Sequence, residues 1–112
     1  MVLIETDVEL TKGCARIVRE MLPQGSGVTF RARVRENGNP KNLTGMSCVC
    51  HVMKSDGTAG EQSIGTASNG YAEAHLSAAA CDMRGEVRLC LRVNDSETGE
   101  RTTLAVLDAL VA

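Results

Sequence analysis

A chain of 112 residues, 43% hydrophobic and 23% charged, has the balance of a folded protein and room for one domain over residues 1–112 rather than two. A formal net charge of -2 offers no cationic footprint for phosphate, and one Phe with one Tyr cannot build a base-stacking platform. Nucleic acid is therefore excluded as an expected partner, and the ring-poor core is left to Val, Leu, Ile, Ala, Met and Cys, which makes self-association a sensible supplement.

Val2, Ile4, Thr6, Val8 and Leu10 share one parity while Glu5, Asp7 and Glu9 share the other, the period of two of a half-buried strand. This stretch has neither the basic start nor the apolar run of a secretory signal, and no apolar run in the chain approaches a membrane span. Synthesis in the cytosol and no membrane partner are the expectations. Thr11-Lys12-Gly13 reads as a turn. Cys14 to Leu22 then fits a strand through Ala15, Ile17 and Met21, although Ile17, Val18, Met21 and Leu22 also fit a helix face; Pro23-Gln24-Gly25-Ser26-Gly27 stops it within a strand's length.

Gly27 to Glu36 is the clearest strand, with Val28, Phe30, Ala32 and Val34 on one face and Thr29, Arg31, Arg33 and Arg35 on the other. Asn37-Gly38 is a strong turn signal, extended by Asn39-Pro40. Met46 to Lys54 follows, with Met46, Cys48, Cys50 and Val52 against Ser47, Val49, His51 and Met53, both sets apolar enough to predict burial on each side. Ser55-Asp56-Gly57 predicts a hairpin turn, Gln62 to Thr66 a weak strand, Asn69-Gly70 a turn and Tyr71 to Leu76 a strand. Ser77 to Arg84 reads as a crossing loop with room for one helical turn, Glu86 to Val93 as a strand, Asn94 to Glu100 as a hairpin and Arg101 to Val111 as the last strand. Seven to eight short strands with regular turn signals predict an all-β antiparallel sandwich of immunoglobulin-like type.

Chemistry-bearing residues are few. Cys48-x-Cys50-His51 is the one cluster with donors for a metal, but alternation puts the thiols on one face and His51 on the other, so no metal site and no cofactor are expected. Five cysteines (Cys14, Cys48, Cys50, Cys81, Cys90) without a CxxC spacing read as free, mostly buried thiols, and none has a base set beside it by spacing, so no enzyme is expected. Asp56, Asp82 and Asp95 read as turn formers, Asn42-Leu43-Thr44 as a turn into a strand rather than a glycosylation site. The acidic face Glu5, Asp7, Glu9 complements the Arg31, Arg33, Arg35 stripe, within the chain or between subunits.

From Gly27 onward the order of elements resembles the N-terminal domain of phage baseplate upper proteins, a family of siphophage and prophage virion proteins. Phe30 inside a strand, then Asn37-Gly38-Asn39-Pro40-Lys41-Asn42-Leu43-Thr44-Gly45 leading into Met46 to Met53, carries the likeness, with Asp56-Gly57, Asn69-Gly70-Tyr71, Gly85 and Thr102-Thr103 as later landmarks. The family's last strands are richer in aromatic residues and a longer protein usually follows the domain, so an end at Ala112 points to a stand-alone accessory virion protein. The resemblance implies a virion protein of the tail or baseplate that forms a homo-oligomer, a trimer by analogy, and docks onto other tail or baseplate proteins. The candidate interface is Val2, Ile4 and Val8 of the first strand, which is open to exchange between subunits, the three arginines, and Val49, His51 and Met53. A monomeric immunoglobulin-like module for carbohydrate or protein ligands is the alternative, with Tyr71 as its exposed ring.

Overall fold

Alternating side chains dictate strands, and the computed structural model, which describes residues 2–54, 56–57 and 59–112, places them close to where that period puts them. In chain order they are β1 (Val2–Glu9), β2 (Ala15–Leu22), β3 (Val28–Glu36), the two-residue β4 (Asn39–Pro40), β5 (Ser47–Met53), β6 (Ala59–Ser68), β7 (Tyr71–Leu76), β8 (Gly85–Asn94) and β9 (Arg101–Val111). Short 3-10 turns at Leu10–Lys12 and Ala78–Cys81 supply the helical content of the described residues. The second falls in the crossing loop where one turn was expected. Of the predicted hairpin turn at Asp56-Gly57, Ser55 lies outside the described residues. No helix among the described residues is long and apolar enough to cross a membrane.

The strands follow one path, β1-β3-β7-β6-β5-β8-β9-β2, with β4 paired to β3. The expectation of antiparallel pairing throughout is corrected at both ends of this path. β1 runs parallel to β3, Val2 beside Val28 through Glu9 beside Arg35, and β2 runs parallel to β9, Ala15 beside Ala105 through Leu22 beside Val111. Alternation is blind to strand direction, and each parallel pair needs the long crossover that the intervening strands provide.

β6 makes the path nearly closed and barrel-like. Its first part pairs with β5, ending at Cys48 beside Gly65, and its last three residues, Thr66 to Ser68, pair with β7 instead. Gly65 marks the corner: a methyl group there would run into the backbone carbonyl of Glu73. β1 and β2, the two ends of the path, come close without pairing, so a seam remains between them.

Inward positions from both halves meet in one aliphatic core. Phe30 is fully buried, with Ile4 of β1 and Ala74 of β7 as its lateral neighbours, and Ala32 and Ala72 pair just beyond; these small residues leave the ring its space. From the other half come Cys48, Cys50, Leu89, Leu91 and Leu107, all at most 1% exposed. Leu43, in the stretch that carried the family likeness, is 2% exposed and plugs the core after the Asn37-Gly38 turn. Both turn residues hold the left-handed φ that this two-residue hairpin demands, 54° and 80°.

Candidate interaction surfaces

Parallel pairing of β1 with β3 sets Glu5 beside Arg31, Asp7 beside Arg33 and Glu9 beside Arg35 on the outer face. The acidic strand thus answers the arginines of its own chain. Arg33 Nε lies 3.0 Å from Asp7 and 4.0 Å from Glu5, and Arg31 reaches Glu5 at 3.5 Å. Arg31 Nε also donates to Glu73 Oε2 of β7 at 2.5 Å, and the other oxygen, Oε1, lies 2.9 Å from His75 Nε2. The Arg31 guanidinium, then His75, hold the Glu73 carboxyl below its usual range. His75 is fixed at its second ring nitrogen by Thr29, 3.0 Å away. Glu5, Arg31, Arg33 and Glu73 border a groove of about 600 Å³ whose other walls include Arg35, Pro40 and Tyr71. Exposed pairs of this kind contribute under about 1 kcal/mol each, so the ladder orders side chains more than it stabilises the fold.

Glu9 serves differently. Its carboxylate accepts from the Gly38 N–H at 2.7 Å, the Asn37 N–H at 3.2 Å and both the N–H and hydroxyl of Thr11, tying the end of β1 to the β3–β4 turn. Donation by Gly38, then by Thr11, lowers its pKa from the ordinary 4.5 to about 2. A depressed carboxylate contributes stability that is complete above the unfolded value of 4.5 and is lost as pH falls toward about 2. Urea unfolding across an acid series should therefore show wild type more stable than Glu9→Gln at pH 6, with the two curves converging as the pH drops through that window. Parallel curves would show that the carboxylate does not bind the turn.

The other candidate interface residues divide by face. Ile4 and Val8 point inward at 6% and 2% exposure, and Val2 is partly buried against the core, so the structure places all three in packing. On β5, Cys48, Cys50 and Val52 face the interior, while His51 and Met53 are exposed and Val49 is covered. The strand expected to be buried on both sides is thus mostly one-sided. The same outer face continues across β8, β9 and β2, and it carries residues that sequence reasoning did not single out for an interface: Val18, Met21 and Leu110, which with Met53 are each more than 40% exposed. The signal was present in the doublets Ile17-Val18, Met21-Leu22 and Leu110-Val111, where one apolar residue must face outward whenever its neighbour faces inward.

Cys48 and Cys50 lie inside and His51 outside, as alternation required, and burial pushes the two thiols up to about 11 and about 12. Cys81 is buried as well, Cys90 is half-buried and Cys14 exposed. Cys90 is the lateral neighbour of His51, a meeting that spacing alone did not reveal. Among the described residues no group of three or more His, Cys, Asp or Glu is placed to hold a metal ion.

Fold and surfaces together define an all-β, barrel-like domain with a charged outer face on one half and, on the other, a face that mixes charged residues with exposed apolar ones. That fold is similar to a solved structure, the N-terminal domain of phage TP901-1 ORF48, at a TM-score of 0.58 and 18% identity, across 99% of this chain and 98% of that one. No protein-family model matches the sequence, and no curated protein matches it.

Proposed function

We propose that this chain is a non-enzymatic structural protein of a phage or prophage virion, a tail or baseplate module that self-associates and docks onto other virion proteins. The observation that carries the reading is the end-to-end likeness of fold to a domain of a phage protein, with almost no residue of either chain left over. Residues 1–112 act in this reading as one domain, an immunoglobulin-like sandwich whose halves are joined along β6, and three copies is the number that the family resemblance implies. Its place of work is the virion, after synthesis in the bacterial cytoplasm. Light scattering on the purified protein at micromolar concentration is expected to give a mass of more than one subunit, and a strict monomer would overturn self-association.

A second reading, a monomeric module for carbohydrate or protein ligands, is favoured by Tyr71, whose 39% exposed ring walls the groove beside Arg33 and Arg35. Binding on a glycan array that Tyr71→Ala abolishes would move the assignment there.

A further inference from the structure

Resting on the proposed self-association, the surface points to its occupant: we propose that the outer face of β8, β9 and β2 binds a second copy of itself about a two-fold axis lying in the plane of that face. Four of the seven large hydrophobic side chains exposed among the described residues, Val18, Met21, Met53 and Leu110, lie on the outer face of the β5-β8-β9-β2 half. Val18, Met21 and Leu110 adjoin one another on β2 and β9, and adjoining exposed apolar side chains of this kind mark a protein contact. Its centre is electrically closed, because Arg88 donates to Asp108 through Nε at 2.6 Å and a second nitrogen at 3.3 Å.

The strand registers fix the layout around Asp108. Val18 of β2 and Arg88 of β8 flank it; Val106 precedes it and Leu110 follows it on β9. Arg16, beside Val106, and Glu86, beside Leu110, occupy diagonally opposite corners, while Cys90 and Met21 occupy the other two. Both Arg16 and Glu86 are exposed, and neither has an ion-pair partner among the described residues.

A two-fold axis along the Cys90–Met21 diagonal exchanges those corners. Arg16 of one copy then meets Glu86 of the other, twice; Val18 packs on Leu110, the Arg88 stem lies over Val106, and Met21 meets its own equivalent. Asp108, neutralised by its own Arg88, and Cys90 also meet their equivalents on the axis, while the Arg16 and Glu86 corners are complementary in charge and the Val18 and Leu110 flanks in apolar content, the condition for an isologous contact. Strands of the two copies cross near a right angle, one of the two ways in which sheets stack. The contact joins lone subunits into dimers and trimers into pairs of rings, so the mass in solution is an even multiple of the subunit.

Sedimentation equilibrium on the full chain tests this through a charge swap. Arg16→Glu and Glu86→Arg, each placing like charges at both corners, are expected to weaken association by about tenfold or more, and the double variant to restore it. Circular dichroism checks that each single variant folds, as expected because both side chains are exposed. An even assembly that ignores both single changes, an odd-numbered one, or a double variant as weak as either single overturns this face while leaving self-association standing. A wild-type monomer overturns both.

Discussion

Phe30→Ala is expected to destabilise the folded chain by about 3–5 kcal/mol, against the total of about 5–15 kcal/mol that domains possess. The ring is wholly buried, and its neighbours Ala32, Ala72 and Ala74 are small. They cannot lean in to fill the hole. The second aromatic residue, Tyr71, is 39% exposed and carries a hydroxyl that wants water or a partner, so it is no substitute. Urea unfolding followed by circular dichroism measures the change, with Phe30→Leu as the milder comparison. A loss under about 1 kcal/mol for the alanine variant would mean that the core is not organised about this ring.

Gly65→Ala should be the most damaging single methyl group in the chain. Most small surface additions cost little, but here the new carbon meets the backbone of Glu73 rather than the end of a movable side chain. Either β6 gives up its turn from β5 toward β7, or β7 shifts and drags the Arg31–Glu73 pair with it. A cost at or above about 3 kcal/mol is expected from the same unfolding measurement, and Gly65→Val should be worse. Gly13→Ala is a poor comparison because its φ of 91° adds conformational strain. Ala67→Val is a better one: it also adds bulk to β6, at a partly buried position past the corner. Equal losses for Gly65→Ala and Ala67→Val would remove the special role of the corner.

Strand positions were legible because alternation follows directly from side chains pointing to opposite faces. Arg101 to Val111 and Tyr71 to Leu76 coincide with β9 and β7, and the inward set Val28, Phe30, Ala32, Val34 is buried as the parity required. Three features were not legible, each for a physical reason. Residues 59–68 mix Gly, Ser and Thr with few apolar side chains, so the ten-residue β6 looked like a weak strand from Gln62 to Thr66. Direction leaves no trace in an alternating pattern, so the two parallel pairs were missed. The partner of each charged side chain depends on that direction: the match between Glu5, Asp7, Glu9 and the three arginines was visible, but the assignment of Asp7 to Arg33 and of Glu9 to the Asn37-Gly38 turn needed the register.

The surface shows the same division. His51 and Met53 are exposed on a strand whose two apolar sets had predicted burial on each side, and Ile4 and Val8 of the first strand pack inward within their own chain. In the fold β1 lies beside β3, with Ile4 directly alongside Phe30. The apolar face of β9 and β2 escaped notice because Val18, Met21 and Leu110 each belong to a doublet, and a doublet reads as core until the sheet says which member looks out.

Placing the two earliest strands at the far ends of the path bears on how the molecule is made. Among the described residues β2 pairs with β9 alone, from Ala15 beside Ala105 onward, so a strand made early waits for a partner made much later. Until then the edge of Ala15–Leu22 stays bare, and such long-range closure belongs to the slow range of single-domain folding, about milliseconds to seconds. The nascent chain is therefore open to mispairing with its neighbours until β9 has emerged, and a chaperone has a target throughout that interval.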